Sequence, residues 1–190
     1  MLPSGSLSSQ LIQGAFIGGR AFPVAKDADY EIGGKELNDP SEGLNYQVWH
    51  CRLINDDVVL YDEQNNATTI YTGADISEIS FSFDRNMNIA LAFVQGGESK
   101  FYWYDSNLGA MTVTNFGSSV ITPRVSHDDK RDMQSASSDV ILAYIKNSSL
   151  YFRAQRDRYQ VEYLLKSGDC KGLIKIGMNS KLRLQFLLEW

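Results

Sequence analysis

This chain predicts an all-β fold made of antiparallel hairpins, and three observations carry that prediction. Two β-rich runs joined by a short turn occur three times, with Asn55-Asp56, Gly96-Gly97 and Asn147-Ser148 at the turns. β-branched and aromatic runs flanking such dipeptides are the strongest local hairpin signal a sequence carries. Aromatic residues are abundant, with 10 Tyr and 9 Phe, which favours strands over helices. Period-two alternation then recurs from Tyr46 onward, and no segment has a convincing helical period.

Taken in order, residues 1–45 read as an extended N-terminal arm for assembly and residues 46–190 as a β-rich body. The arm holds Pro3, Pro23 and Pro40 and is rich in Gly and Ser. Such a composition buries little surface of its own, so a neighbouring subunit is expected to hold it. Its one apolar island, with Leu11, Ile12, Phe16 and Ile17, supplies candidate interface residues. The first hairpin joins Gln47–Ile54 to Val58–Asp62, and Ala67–Tyr71 follows. In Ile76–Phe83, Ile79, Phe81 and Phe83 share one face and Ser80 and Ser82 the other, the alternation of a half-buried strand. The second hairpin joins Asn88–Val94 to Lys100–Asp105. Met111–Phe116 and Val120–Thr122 are shorter candidates, and Asp128–Ser138 is a polar loop. The third hairpin joins Asp139–Lys146 to Leu150–Arg153. Gln160–Leu165, Leu173–Ile176 and Leu182–Leu187 complete the series, with turns at Ser167-Gly168-Asp169 and Asn179-Ser180.

The hairpins recur at roughly 40 to 50 residues, the period of a β-propeller blade. Three hairpins are few for a closed ring, which needs at least about four blades. The expected architecture is therefore a β-sandwich or a set of blade-like sheets completed by other subunits, ahead of a complete propeller.

Composition narrows the function classes. Hydrophobic residues make up 43% and charged residues 22%, so the chain can bury a core. A net charge of −5 argues against free nucleic acid as a partner. The charge is uneven, with ten acids to four bases over residues 1–66 and eight bases to four acids over residues 150–190. Opposite ends of this kind can steer one copy onto another or fold back on each other. The two cysteines, Cys51 and Cys170, make no disulfide framework. Cys51 shares a strand face with Trp49 and Leu53 and reads as a buried free thiol. No signal peptide is visible, and no run approaches the ~18 apolar residues of a membrane span.

Motifs that carry chemistry are close to absent. Ser126-His127-Asp128-Asp129 holds the residue types of a triad, but neighbours on a strand point to opposite faces, and a triad must converge from separate elements. A polar turn after Pro123 is the expected reading. His50 and His127 are the only histidines, and no Cys or His pair has zinc spacing. Asp128, Asp129 and Asp132 lack the calcium-loop pattern. Gly18-Gly19, Gly33-Gly34 and Gly96-Gly97 lack the context of phosphate loops and read as bends. Nothing singles out a glycosidase pair among Glu63, Glu78, Glu98 and Glu162. No catalytic residue, cofactor or metal is assigned.

Two segments are candidates for contact with partners. Phe101-Tyr102-Trp103-Tyr104 puts two aromatics on each strand face. One face belongs to the core, and the other, with Trp103, suits a second subunit, a second sheet or a sugar ring. Arg153, Arg156 and Arg158 form the densest basic cluster, suited to multidentate carboxylate contacts.

Three stretches resemble segments of virion structural proteins of tailed bacteriophages, in particular tail components. They are Ile79–Asn88, Ser138–Tyr144 running into Leu150–Tyr159, and Ile176–Phe186. The resemblance covers roughly residues 76–190. It implies a non-enzymatic subunit present in several symmetric copies, contacting itself and other virion proteins, in a virion assembled in the host cytoplasm. A tube or nozzle part, a fibre-anchoring adaptor and a capsid decoration all fit it. The alternative from another class is a carbohydrate-binding module reading a host surface glycan through Phe101–Tyr104.

Overall fold

The computed structural model describes residues 28–35, 45–62, 64–84, 86–127, 139–178 and 184–190. The described residues are almost entirely β-strand. They form β1 (Ala28–Lys35), β2 (Asn45–Ile54), β3 (Asp57–Tyr61), β4 (Ala67–Thr72), β5 (Ile76–Phe83), β6 (Ile89–Gln95) and β7 (Glu98–Asp105). There follow β8 (Ala110–Gly117), β9 (Val120–His127), β10 (Val140–Lys146), β11 (Ser149–Ala154), β12 (Tyr163–Lys166), β13 (Gly172–Met178) and β14 (Leu184–Glu189). A single 3-10 turn, Gln155–Asp157, is the one helical piece among the described residues.

Each consecutive group of four strands is an antiparallel meander. β1-β2-β3-β4 make the first sheet, β5-β6-β7-β8 the second and β9-β10-β11-β12 the third, while β13-β14 form a fourth sheet of two strands. The three hairpins expected from sequence are β2-β3, β6-β7 and β10-β11, the same central pair in each four-stranded sheet. All three turns have two residues, and Asn55, Gly96, Gly97, Asn147 and Ser148 adopt positive φ as such turns require. The leading strands of successive sheets lie against one another, β1 on β5, β5 on β9 and β9 on β13. The architecture is a series of blade-like antiparallel sheets packed face to face.

Three apolar cores fill the spaces between sheets. Cys51, Val58, Phe81 and Phe93 meet between the first and second sheets. Phe101, Trp103, Leu142 and Tyr144 meet between the second and third. Ile141, Ile145, Leu173 and Ile176 meet between the third and fourth. β6 and β10 are therefore covered on both sides. Their unbroken apolar runs, Ile89–Val94 and Val140–Ile145, replace the alternation of a one-sided strand. Cys51 and Cys170 are both buried.

The second sheet's face toward the third is graded in size. One cross-strand row reads Ser80, Ala92, Phe101, Thr114 from β5 to β8. The small residues sit where β9 lies against β5 and β6, and the large rings sit further out. Ser80 and Ser82 are consequently buried, at 1% and 0% exposure, which corrects the half-buried reading of β5. The backbone N–H of Val125 on β9 donates to Ser80 Oγ at 3.1 Å, and the Ser82 hydroxyl turns to the Phe83 carbonyl of its own strand.

Two further expectations change. β1 arises within residues 1–45, the segment read as an arm, and pairs along its whole length with β2. Gly and Pro content hides such a strand, because pairing with β2 supplies the order that composition does not. β9 continues to His127, past the turn expected after Pro123. Pro123 is tolerated because β9 is the edge strand of its sheet and a register shift falls there, opposite Tyr144. The polar loop Asp128–Ser138 and the turn at Asn179-Ser180 lie outside the described residues.

The size gradient makes a prediction. Ala92→Leu should lower stability by about 1–3 kcal/mol through overpacking against the third sheet. A urea unfolding midpoint equal to that of the wild type would show that the inner row has room to spare.

Candidate interaction surface

Among the described residues the fourth sheet has two strands, and three kinds of surface adjoin it. The first is an edge: among the described residues β14 pairs only with β13. An unpaired strand edge presents backbone donors and acceptors ready to bind another strand. The second is the sheet's outer face. Leu173, Ile176, Phe186 and Leu188 turn inward, while Ile174 is 45% and Leu187 53% exposed on the other side. A register shift at Ile174 interrupts the pairing between Leu173 and Lys175.

The third surface is a shelf on the sheet beneath. In the first two sheets, the third strand's inward residues are fully covered: Val58 and Leu60 on β3, Phe101 and Trp103 on β7. On β11 the residue in this position, Phe152, is only half-buried. Its ring stacks on Tyr163 of β12 at 4.9 Å between centroids. Beside them Lys166 Nζ lies 4.5 Å from the ring of Trp190, which is 59% exposed.

The arginines singled out from sequence belong to a different structure, a latch between sheets. The 3-10 turn after β11 and its cap Arg158 send side chains to three carboxylates, of which Asp84 and Asp105 also shape their own turns. Arg158 Nη2 donates to Asp105 Oδ2, Gln155 Nε2 to Asp84 Oδ2 at 3.1 Å, and Arg156 Nη1 to Asp139 Oδ2 at 2.9 Å. Asp84 and Asp105 stand on the second sheet, so two of these bonds cross from sheet to sheet. Tyr159 follows directly and drives its ring between Phe101 and Trp103, edge-on at 4.6 and 4.9 Å. Arg153 donates to the Tyr144 hydroxyl, to the carbonyls of Tyr159 and Gln160, and to Glu162. Lys146 joins Glu162 at 3.0 Å. The bonds and ion pairs around this turn bind the chain to itself.

The electrostatics follow from these contacts. Arg158 holds the Asp105 carboxyl below its ordinary range, against the opposing pull of partial burial, and the Asn107 and Leu108 amides add to the effect. Burial pushes Glu162 up, but bonds from Tyr144 and Lys146 outweigh it and leave the carboxyl lowered. Burial raises the Tyr144 hydroxyl, and its bond to Glu162 raises it further.

Trp103 requires a correction as an interface residue. It is 5% exposed, packs between the second and third sheets, and donates Nε1–H to Thr114 Oγ1 at 3.1 Å. A strand covered on both faces sends Phe101 and Trp103 into one core and Tyr102 toward the other, so Trp103 presents no ring to a sugar. Leu11, Ile12, Phe16 and Ile17 lie outside the described residues.

Sequence reasoning missed the latch carboxylates, although a signal for them existed. Tyr61-Asp62-x-Gln64, Phe83-Asp84-x-Asn86 and Tyr104-Asp105-x-Asn107 repeat one pattern. In each, the Asp side chain accepts from the backbone N–H two residues on, at 2.8 to 2.9 Å, the signature of an Asx turn. The exposed edge and shelf had no comparable signal along the chain. No protein-family model, curated protein or solved structure matches this chain.

The latch predicts a pH dependence. A carboxyl whose native pKa is depressed stabilises the fold above its unfolded value, near 4, and that stability is lost as pH falls through the native value. Asp105→Asn should therefore flatten the acid limb of the stability profile below about pH 4, as read by thermal melts. An unchanged acid limb would show that the Arg158 contact contributes nothing to folding.

Proposed function

We propose that this chain is a non-enzymatic structural subunit of a tailed-phage virion, acting at the tail or head–tail junction by subunit–subunit contact. The observation that carries the reading is the fourth sheet, where among the described residues the β14 edge is unpaired, Ile174 and Leu187 are exposed, and Phe152 beneath is only half-buried. A soluble monomer rarely leaves an edge and apolar residues together in this way. Obligate contacts between subunits bury about 2,000 Å² or more, and a sheet face with an adjoining edge is suited to such an area. The resemblance of residues 76–190 to tail components supports the virion setting.

The opposite charge of the two ends supports head-to-tail contact between copies. Repeated copies of one heterologous contact close into rings or extend as fibres, and tails are built from such symmetric layers. The ionic groups of the latch serve the same end, since they stiffen the stack of sheets that neighbours would grip.

Sedimentation of the purified full chain should show association that rises with concentration and weakens in Leu187→Lys. Antibodies against the chain should also label the tails of assembled particles. A chain that stays monomeric at all accessible concentrations, together with unlabelled particles, would refute the reading.

A further inference from the structure

We infer that residues 155–160 are a strained strap, poised to open as a unit and bare the rings of Phe101 and Trp103 between the second and third sheets. Opening needs no change at the fourth sheet, so the strap is independent of the assembly surface.

The strain lies in the turn formed by residues 157–160. Gln160 N–H donates to the Asp157 carbonyl at 3.0 Å, and the two central residues, Arg158 and Tyr159, have φ of 50° and 57°. A turn with both central φ positive suits Asn, Asp or Gly. The other consecutive pairs of positive φ among the described residues, Gly96-Gly97 and Asn147-Ser148, are filled by small side chains. An aromatic residue in this region is an outlier. Such strain persists only where surrounding contacts over-determine it, and it gathers at segments that switch.

The contacts that hold this turn come mainly from side chains and not from a sheet ladder. Arg158 reaches Asp105, Gln155 reaches Asp84 and Arg156 reaches Asp139. Arg153 donates to the carbonyls of Tyr159 and Gln160. The Arg156 and Arg158 side chains are 49% and 44% exposed, so water competes for two of these ties. Tyr159 is the one buried side chain of the segment, and its ring meets Phe101 and Trp103 edge-on. One ring and a few solvated ties therefore close the strap, while two residues at positive φ push it open. Segments with few buried apolar contacts open well below the free energy of global unfolding.

Hydrogen exchange of the full chain across sub-denaturing urea tests this. In the closed strap the N–H groups of Arg158, Tyr159 and Gln160 are bonded to the carbonyls of Gln155, Ala154 and Asp157. They should exchange together, about tenfold or more faster than the β10 amides, and with little dependence on urea, because local opening exposes little surface. Asp105→Asn should speed these three about tenfold further, through the loss of one charge-assisted bond. Added to Asp105→Asn, Arg158→Gly should slow the Tyr159 and Gln160 amides again, since glycine adopts positive φ freely. In a loop that is loose without strain, the same glycine would speed them. Circular dichroism checks that the variants fold, and the urea series on the wild-type chain decides the matter without them. Three amides that exchange at the β10 rate and with the β10 urea dependence would overturn the strap, as would faster exchange on adding Arg158→Gly.

Discussion

The close approach of β9 to β5 and β6 is the constraint on which the rest of this molecule depends. Two sheets can meet at their leading strands only if the side chains between them are small. Ser80, Ser82, Ala90 and Ala92 meet that condition, each at 3% exposure or less. The space then widens outward, and Phe101, Trp103, Tyr144 and Tyr159 fill it. A graded row of this kind makes the contact a wedge. Buried hydroxyls would be costly alone, but strand β9 offers its outward backbone groups to Ser80 on β5 and Ser99 on β7. Val125 N–H reaches Ser80, and Ser99 Oγ donates to the Val120 carbonyl at 2.6 Å. The next step along the stack uses the same device, with Leu173 N–H donating to Thr122 Oγ1 at 2.8 Å.

The wide end needs its own closure, and the 3-10 turn provides it. Asp84 and Asp105 first shape their own turns and then accept Gln155 and Arg158 from the third sheet. One carboxylate thus ends a strand and anchors a neighbouring sheet. Tyr159, next to Arg158 in the chain, puts its ring into the core beneath the latch. Arg153, with Tyr144, Lys146 and Glu162, continues the network within the third sheet. Charge-assisted bonds that are partly shielded from water are stronger than exposed pairs. Arg158, with Gln155, uses such bonds to tie the third sheet to the second, and Arg156 and Arg158 keep 49% and 44% of their side chains exposed.

A stack built from repeated sheets has two terminal faces, and repetition alone does not cover them. The fourth sheet, with two strands, covers the inner part of the third sheet's face and leaves Phe152 and Tyr163 at its margin. The proposed assembly role follows from this geometry. A strand edge beside an apolar shelf offers backbone hydrogen bonds for affinity and side-chain contacts for specificity in one place.

Much of the fold was readable along the chain. Alternation in β7, the unbroken runs of β6 and β10, and the turns at Asn55-Asp56, Gly96-Gly97 and Asn147-Ser148 are local patterns that record local backbone preferences. Other features had no local record. β1 is ordered by pairing with β2 despite its glycines, and β9 runs through Pro123 because it is an edge. Trp103 could have faced a partner or a core, and Arg158 could have bound another chain or Asp105. In each case the deciding neighbour lies far off in sequence, 53 residues away for Arg158 and Asp105. Alternation tells which residues share a strand face, but only the packing of one sheet on the next tells what that face meets.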